Sequence, residues 1–192
     1  MTCSAGLAWD QVQLFNRYIE GFGIRCDAVT PQMLAAPFWK GRFVALIIPT
    51  GFANPAYSRL LPALRASEGR IRRFVEGGGR LLVFGAADEK PDAYDWLPFP
   101  LTYRHGYAER RLEVRPECPR GVLVDGYDCA AMPCDGCFPA HECEPVAFEA
   151  GGAAVLLERE VGKGLVVVTS VHEYPSGKFL TAFCCGERET FF

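Results

Sequence analysis

The most constraining feature of the sequence is a strand–helix–strand pattern between positions 42 and 85. The run RFVALIIP (Arg42–Pro49) is almost continuously apolar, as expected of a parallel strand that is covered on both faces. The run RLLVFG (Arg80–Gly85) predicts a second buried strand after a glycine break at 77–79. The helix expected between them has its buried stripe at Leu60, Leu64, Ile71 and Val75. Such a βαβ unit makes its two strands parallel neighbours.

The segments on either side extend this α/β pattern. Apolar residues recur every three to five positions from Leu7 to Phe22 and include Val12, which predicts a first helix there. The run at 24–29 predicts a short strand, and Thr30-Pro31 predicts the start of a brief helix that ends near Phe38.

The second half of the chain is richer in β-strand patterns. The runs AAVLLEREV and LVVVTS, joined at Gly162–Gly164, predict a hairpin whose last strand returns to the central sheet. We therefore expect one domain over residues 1–192, a flavodoxin-like three-layer α/β/α sandwich with a mostly parallel sheet and a β-rich second half. Residues 118–145, rich in Cys, Pro, Gly and Asp, are interpreted as a cysteine-rich insertion or loop.

Composition narrows the classes of partner. The formal net charge is -3 and the basic residues are dispersed, so we expect no nucleic-acid partner. No segment reaches the roughly 18 uninterrupted apolar residues of a membrane helix, so we expect no membrane partner. Nine cysteines without an export signal predict reduced thiols and a cytoplasmic location.

A histidine follows the last apolar run, in LVVVTSVHEYPS. His172 lies just beyond the predicted strand, where open α/β sheets bind their ligands. Its imidazole could serve as a base, with Glu173 or another carboxylate to orient it. The alternative is a polar residue in a surface loop.

Three blocks together resemble a known family. The runs RFVALIIPTGF, RRFVEGGGRLLVFGAA and GKGLVVVTSVHEYPS, in this order, resemble the class I glutamine amidotransferase-like superfamily. The similarity leans towards divergent branches such as the N-terminal domain of biotin-protein-ligase-like proteins. In those branches the second strand leads into an elbow that holds a nucleophilic cysteine. The expected first strand of that fold appears short or missing here.

The resemblance implies a role for each matching position. It puts Gly85 in the place of the nucleophilic cysteine, followed by Ala86, and Thr50-Gly51 in the place of the oxyanion-hole glycines. His172 falls on the histidine of the triad, and Glu173 is the nearest match to its glutamate, although in the family one residue separates the two and here they are adjacent. Without a thiol or hydroxyl at position 85 this elbow cannot form an acyl-enzyme.

These residues predict a non-catalytic amidotransferase-like domain. Its cleft at the strand ends would bind a small molecule or a partner, and the room left by Gly85 would suit a small anionic or carbonyl ligand. The first alternative is an atypical hydrolase or amidase that uses His172 with a cysteine of the 129–143 loop or a metal. The second alternative is a zinc-stapled interaction module.

The zinc alternative depends on CAAMPCDGCFPAHEC. Soft ligands at Cys134, Cys137, His141 and Cys143 could form a tetrahedral zinc site, with Cys129 as a substitute. The simpler interpretation is an irregular loop with reduced thiols and no cofactor. The aromatic residues from Tyr94 to Tyr107 are expected in the core, with a pocket wall or a homo-oligomer interface as alternatives.

Overall fold

The computed structural model describes residues 1–9 and 14–192 and has a mixed α/β fold. The helices are α1 (Phe15–Glu20), α2 (Pro31–Ala35), α3 (Leu60–Ala66), α4 (Glu68–Glu76) and α5 (Gly177–Cys184), with a 3-10 helix at Pro119–Val124. The strands are β1 (Thr2–Ala8), β2 (Arg25–Val29), β3 (Arg42–Phe43), β4 (Ala45–Ile48), β5 (Arg80–Val83), β6 (Leu101–Arg110), β7 (Leu112–Val114), β8 (Met132–His141), β9 (Glu144–Glu149), β10 (Ala154–Val161), β11 (Gly164–Thr169), β12 (Cys185–Gly186) and β13 (Thr190–Phe191). None of the helices in the described ranges is long and apolar enough to cross a membrane.

The parallel part of the central sheet has the order β2–β1–β4–β5–β11. The predicted βαβ unit is confirmed, since β4 and β5 pair in parallel with Leu46 opposite Leu81. The single helix predicted between them is two helices, α3 and α4, joined at Ser67. The Ser67 hydroxyl donates to the carbonyl of Ala63 at 2.7 Å, and such a bond to the preceding turn bends helices. Because the four stripe residues are all buried, the predicted face is correct.

The antiparallel part of the sheet comes from the second half of the chain. The predicted hairpin is confirmed: β10 and β11 pair antiparallel, with Val161 opposite Gly164. Strand β11 also pairs in parallel with β5, so it returns to the central sheet as expected. Beyond β10, β8 pairs with β10 and β6 pairs with β8.

Alternating side chains of β4 divide the core into two clusters. Leu46 and Ile48 belong to a cluster that includes residues of α2, α3 and α4. Ala45 and Ile47 belong to a second cluster that includes residues of α1 and α5. Because successive strand residues point to opposite faces, the two clusters lie on opposite faces of the sheet.

The first strand of the sheet is present, so the expectation of a short or missing strand is wrong. Strand β1 lies between β2 and β4, and the helix predicted from Leu7 begins only at Phe15. Small residues fill β1 (TCSAGLA), so it lacks the apolar run that would distinguish it from a helix. Of the predicted helical face, Val12 lies outside the described residues.

The segment 118–145 is structured, which corrects its interpretation as a loop. It contains the 3-10 helix and all of β8, whose Cys134 and Cys137 are fully buried. The register of β8 against β6 shifts twice, and such bulges remove the strict alternation on which a strand prediction depends.

One cysteine pair departs from the expectation of reduced thiols. Cys3 and Cys185 are opposite residues of the β1–β12 pair and form a disulfide across a sequence separation of 182 residues. The other seven cysteines are free thiols. A pairing between the two ends of the chain is invisible in local sequence, because only the sheet brings these residues together.

Candidate functional site

The candidate site lies at the carboxyl ends of β4, β5 and β11. Parallel neighbours end at the same edge of a sheet, so the turns after these strands meet there. The backbone N–H of Gly51, after β4, donates to the carbonyl of Gly85, after β5, at 2.9 Å. His172 follows β11 and faces the same edge. Thr50, Gly51, Gly85 and His172 therefore lie at one edge of the sheet.

A buried carboxylate orients His172, and it comes from β8. Asp135 Oδ1 lies 2.8 Å from His172 Nδ1, and the Asp135 side chain is only 4% exposed, whereas that of His172 is 46% exposed. With Nδ1–H donating to the carboxylate, the outer ring nitrogen Nε2 carries the lone pair and becomes a hydrogen-bond acceptor.

The backbone around Asp135 is fixed by three hydrogen bonds with two residues, Ser170 and Tyr103. Its N–H donates to the carbonyl of Ser170 at 2.7 Å, and its carbonyl accepts from the Tyr103 hydroxyl at 2.8 Å. The Ser170 hydroxyl donates to the carbonyl of Gly136 at 2.7 Å. Because these bonds join β8 to the end of β11, the distance between Asp135 and His172 is set by the sheet and not by a loose loop.

Asp135 occupies the space in which a side chain at position 85 would lie. A Cβ placed on Gly85 would stand 2.7 Å from both Cβ and Oδ2 of Asp135, closer than real Cβ contacts come. Oδ2 is buried and has no hydrogen-bond partner among the described residues. The elbow therefore excludes any side chain for as long as Asp135 keeps this conformation.

The turn after Gly85 is held from below by a buried tyrosine. The Tyr94 hydroxyl accepts from the backbone N–H of Ala86 and donates to the carbonyl of Phe84, both at 3.0 Å, and burial raises the pKa of Tyr94 well above its ordinary value. Ala87 adopts a left-handed φ of 51°, which is uncommon for alanine. Because the Ala86 N–H is already bonded and a carboxylate lies over Gly85, this turn does not present the anion-binding amides that the sequence led us to expect.

A small pocket opens beside His172. It has a volume of about 200 Å³ and is lined by Phe15, Pro49, Thr50, Phe84, His172 and Tyr174. The rings of Phe15 and Tyr174 stack with centroids 4.5 Å apart, and Phe15 meets Phe84 edge to face at 5.8 Å. The pocket thus combines an aromatic wall with two polar side chains, Thr50 and His172.

Glu173, the predicted partner of His172, takes no part in orienting it. The side-chain hydrogen bond of His172 goes to Asp135 and its backbone N–H donates to Pro133, whereas Glu173 adds to the electrostatic effects that raise the pKa of Tyr127, after burial and Tyr18. Sequence reasoning missed Asp135 because Asp135-Gly136 is also typical of a tight turn. The sequence offered one sign that Asp135 is buried, its position between Cys134 and Cys137.

The four predicted zinc ligands do not converge. Cys134 and Cys137 lie in the core cluster that contacts α1 and α5, whereas Cys143 lies in the opposite cluster. His141 Nδ1 is 3.0 Å from the backbone carbonyl of Cys143. Within residues 1–9 and 14–192, no group of three or more His, Cys, Asp or Glu side chains is arranged to hold a metal ion.

The predicted thiol nucleophiles are bonded or buried elsewhere in the described part of the chain. Burial is the main cause that raises the pKa of Cys134 to about 12, so its thiol stays protonated at neutral pH. Cys137 accepts a hydrogen bond from Arg104 at 3.2 Å, on the side of β6. Within the described part of the chain, no hydrogen bond joins a cysteine sulfur to the His172 ring.

Comparison with known proteins defines the fold of the chain but neither its family nor its activity. No protein-family model and no curated protein matches the sequence. Among solved structures, 96% of the chain matches part of a β-galactosidase from Halorubrum lacusprofundi with a TM-score of 0.57 and 13% identity. A β-galactosidase from Bacillus circulans sp. alkalophilus matches over 94% of the chain with a TM-score of 0.56 and 13% identity. The chain spans only 30% of the length of each of these enzymes.

A third structure matches over most of its length. A cytoplasmic protein from Salmonella typhimurium LT2 aligns over 93% of both chains with a TM-score of 0.53 and 14% identity. At such low identity the similarity establishes a shared mixed α/β fold. It transfers no activity to this chain.

Proposed function

We propose that this protein is a non-catalytic domain of the amidotransferase-like type that binds a small molecule in the pocket beside His172. The proposed architecture is a flavodoxin-like α/β/α sandwich, supported by the parallel order of five strands and by the two core clusters on opposite faces of the sheet. The order of the three sequence blocks supports the family. The site itself supports the function.

The observation that carries this proposal is the position of Asp135. Its carboxylate fills the space over Gly85 and accepts the hydrogen bond of His172. A nucleophile at the elbow and this carboxylate exclude each other. The histidine therefore lines the pocket with its ring held by Asp135, but it has no thiol or hydroxyl at position 85 to activate.

The proposed pocket matches the general form of a small-ligand site. Such sites are concave and mainly apolar, with a few polar groups that fix the orientation of the ligand. Here the aromatic wall supplies the apolar area, and Thr50 and His172 supply the polar groups. At about 200 Å³ the pocket suits a small compound or one end group of a larger compound.

The test is a ligand screen that reads the His172 ring directly. We expect at least one metabolite of a small-molecule library to raise the melting temperature and to shift the His172 imidazole resonances in NMR spectra. Replacement of His172 by alanine should abolish both effects. Lys163→Ala, at the opposite end of β11, is the matched control and should change neither. Hits that persist in His172→Ala, or a complete absence of hits, would contradict the proposal.

We further propose a cytoplasmic protein whose partner is a small molecule and not a nucleic acid. The dispersed basic residues and the net charge of -3 argue against a nucleic-acid partner, and the seven free thiols accord with a reducing compartment. Among the described residues neither alternative function has a contact in its favour: no hydrogen bond joins His172 to a cysteine, and Cys143 lies in a different core cluster from Cys134 and Cys137.

A further inference from the structure

The charge of Asp135 is incompletely balanced within the chain. Its side chain is 4% exposed, and one of its oxygens is buried without a hydrogen-bond partner in the described ranges. Among the residues that the structure describes, the ion pairs of Asp135 involve His172 alone. Buried carboxylates are costly unless a cation or several hydrogen bonds compensate them. The pair therefore leaves negative potential at the end of β11 whenever His172 is neutral.

Among the residues that the structure describes, the pocket in front of this pair is lined by one side chain that can carry positive charge, His172. The other described lining residues are aromatic, proline or threonine. An anion placed there would meet no fixed cation and would lie near the Asp135 carboxylate. A cation would gain from that carboxylate and from the faces of the aromatic rings, which attract positive charge.

We propose that the pocket binds a small organic cation with an N–H group, an alkylamine or the amine end of a larger molecule. This inference rests on the function proposed above and narrows it to one class of ligand. The ammonium N–H donates to Nε2 of His172, whose Nδ1–H donates to Asp135. The positively charged ammonium, the neutral imidazole and the negatively charged carboxylate then form one hydrogen-bonded chain. The ammonium balances the charge of the buried carboxylate through the imidazole ring.

The volume of the pocket limits the size of the bound group. At about 30 Å³ for each water-sized group, a pocket of about 200 Å³ holds roughly six non-hydrogen atoms. A butylamine-sized group fits this limit. The Thr50 hydroxyl, in the same lining, offers an acceptor for a second N–H.

The experiment compares three probes of one shape and different charge: n-butylamine, 1-butanol and butyrate. The His172 ring resonances and the melting temperature are followed at a pH at which the amine is charged. We expect the amine to bind about tenfold more tightly than the alcohol, the upper part of the range for a partly desolvated cation against aromatic rings. Butyrate should not bind.

Two variants test the source of this preference. Asp135→Asn keeps an acceptor for Nδ1–H and removes the charge, so the affinity for butylamine should fall several-fold, towards that of butanol. Tyr174→Leu removes a partly exposed ring of the wall and should weaken the amine several-fold while leaving butanol nearly unchanged. Asp88→Asn, a carboxylate outside the pocket lining, is the matched control and should change nothing.

The outcomes separate this inference from the proposed function. Equal affinity for amine and alcohol, or binding of butyrate, overturns the cation class but leaves a small-molecule site. Silence of the His172 resonances with all three probes and with the metabolite library overturns both. An unchanged amine preference in folded Asp135→Asn also overturns the cation class. If Asp135→Asn does not fold, Tyr174→Leu decides the question.

Discussion

At position 85 a hydrogen atom is the largest side chain that fits, because any Cβ would stand 2.7 Å from Cβ and Oδ2 of Asp135. We predict that Gly85→Cys, the substitution that restores the elbow of the resembled family, gives a destabilised protein and no nucleophile. Overpacking in a buried site costs about 1–3 kcal/mol, and here it also displaces Asp135 from His172. Urea denaturation measures the loss.

The matched experiment is a double-mutant cycle between positions 85 and 135. In Gly85→Cys combined with Asp135→Gly both clashing atoms, Cβ and Oδ2, are removed, so the double variant should be more stable than the sum of the single losses predicts. The new thiol should then react with iodoacetamide beside His172. Additive losses within about 0.5 kcal/mol would show that the two residues do not compete for one space.

The orientation of His172 gives a second prediction at this scale. Because Asp135 accepts from Nδ1–H, the neutral ring should carry its proton on Nδ1. Asp135→Ala should shift the tautomer population towards Nε2–H, which long-range ¹H–¹⁵N spectra of the ring detect. Glu173→Gln should leave the tautomer unchanged, and a shift in that variant instead would restore Glu173 as the partner.

Half of this pair was predictable from sequence. His172 follows an apolar run that could only be a buried strand, so its place at the sheet edge follows from the chain itself. Asp135 lies 37 residues away on a bulged strand, and its approach to His172 depends on the pairing of β8. No local periodicity encodes that register, which explains why the adjacent Glu173 was chosen in its place.

At the scale of elements, β8 delivers both Asp135 and a set of buried thiols. Burial raises the pKa of Cys134 and of Cys184 to about 12, above the ordinary value of 9.0. A raised pKa in the folded state gives stability that is complete below about pH 9 and is lost as the pH rises towards 12. We therefore predict that the free energy of unfolding falls steadily over this alkaline range.

Chemical denaturation at several pH values tests this prediction. In Cys134→Ala the alkaline slope should be shallower, whereas Cys118→Ala, which removes a partly exposed thiol, serves as the control and should keep it. In the native protein iodoacetamide should modify Cys118 long before Cys134. Early modification of Cys134 would show that β8 is less buried than its packing indicates. An unchanged alkaline slope in Cys134→Ala would show the same.

The elements themselves were predicted where burial and periodicity agreed. Strands β4, β5, β10 and β11 have apolar runs, and Thr30 caps α2 by accepting from the Met33 N–H, as Thr-Pro suggested. Strand β1 was missed because its cysteine, serine, alanine and glycine residues are buried by their neighbours and not by their own hydrophobicity. Such a strand is specified by the sheet and not by its local sequence.

At the scale of the whole molecule, the parallel part and the antiparallel part of the sheet each contribute different residues to the site. The parallel strands bring the turns at 50, 85 and 172 to one edge, and the antiparallel strands carry Asp135 across to that edge. The joint between the halves is the β10–β11 hairpin, whose second strand pairs with β5. Any shift of this hairpin would separate Asp135 from His172.

The disulfide connects the first strand to the end of the chain and allows a prediction about the stability of the whole molecule. Cys3–Cys185 closes a loop of 182 residues, so its reduction should lower the free energy of unfolding by up to about 5 kcal/mol through the greater entropy of the unfolded chain. Denaturation with and without dithiothreitol measures this loss, and Cys185→Ser should reproduce it. Cys26→Ser, which removes a free thiol of β2, should retain the full effect of dithiothreitol. Equal stability of oxidised and reduced protein would show that the β1–β12 pairing holds the two ends together without the covalent bond.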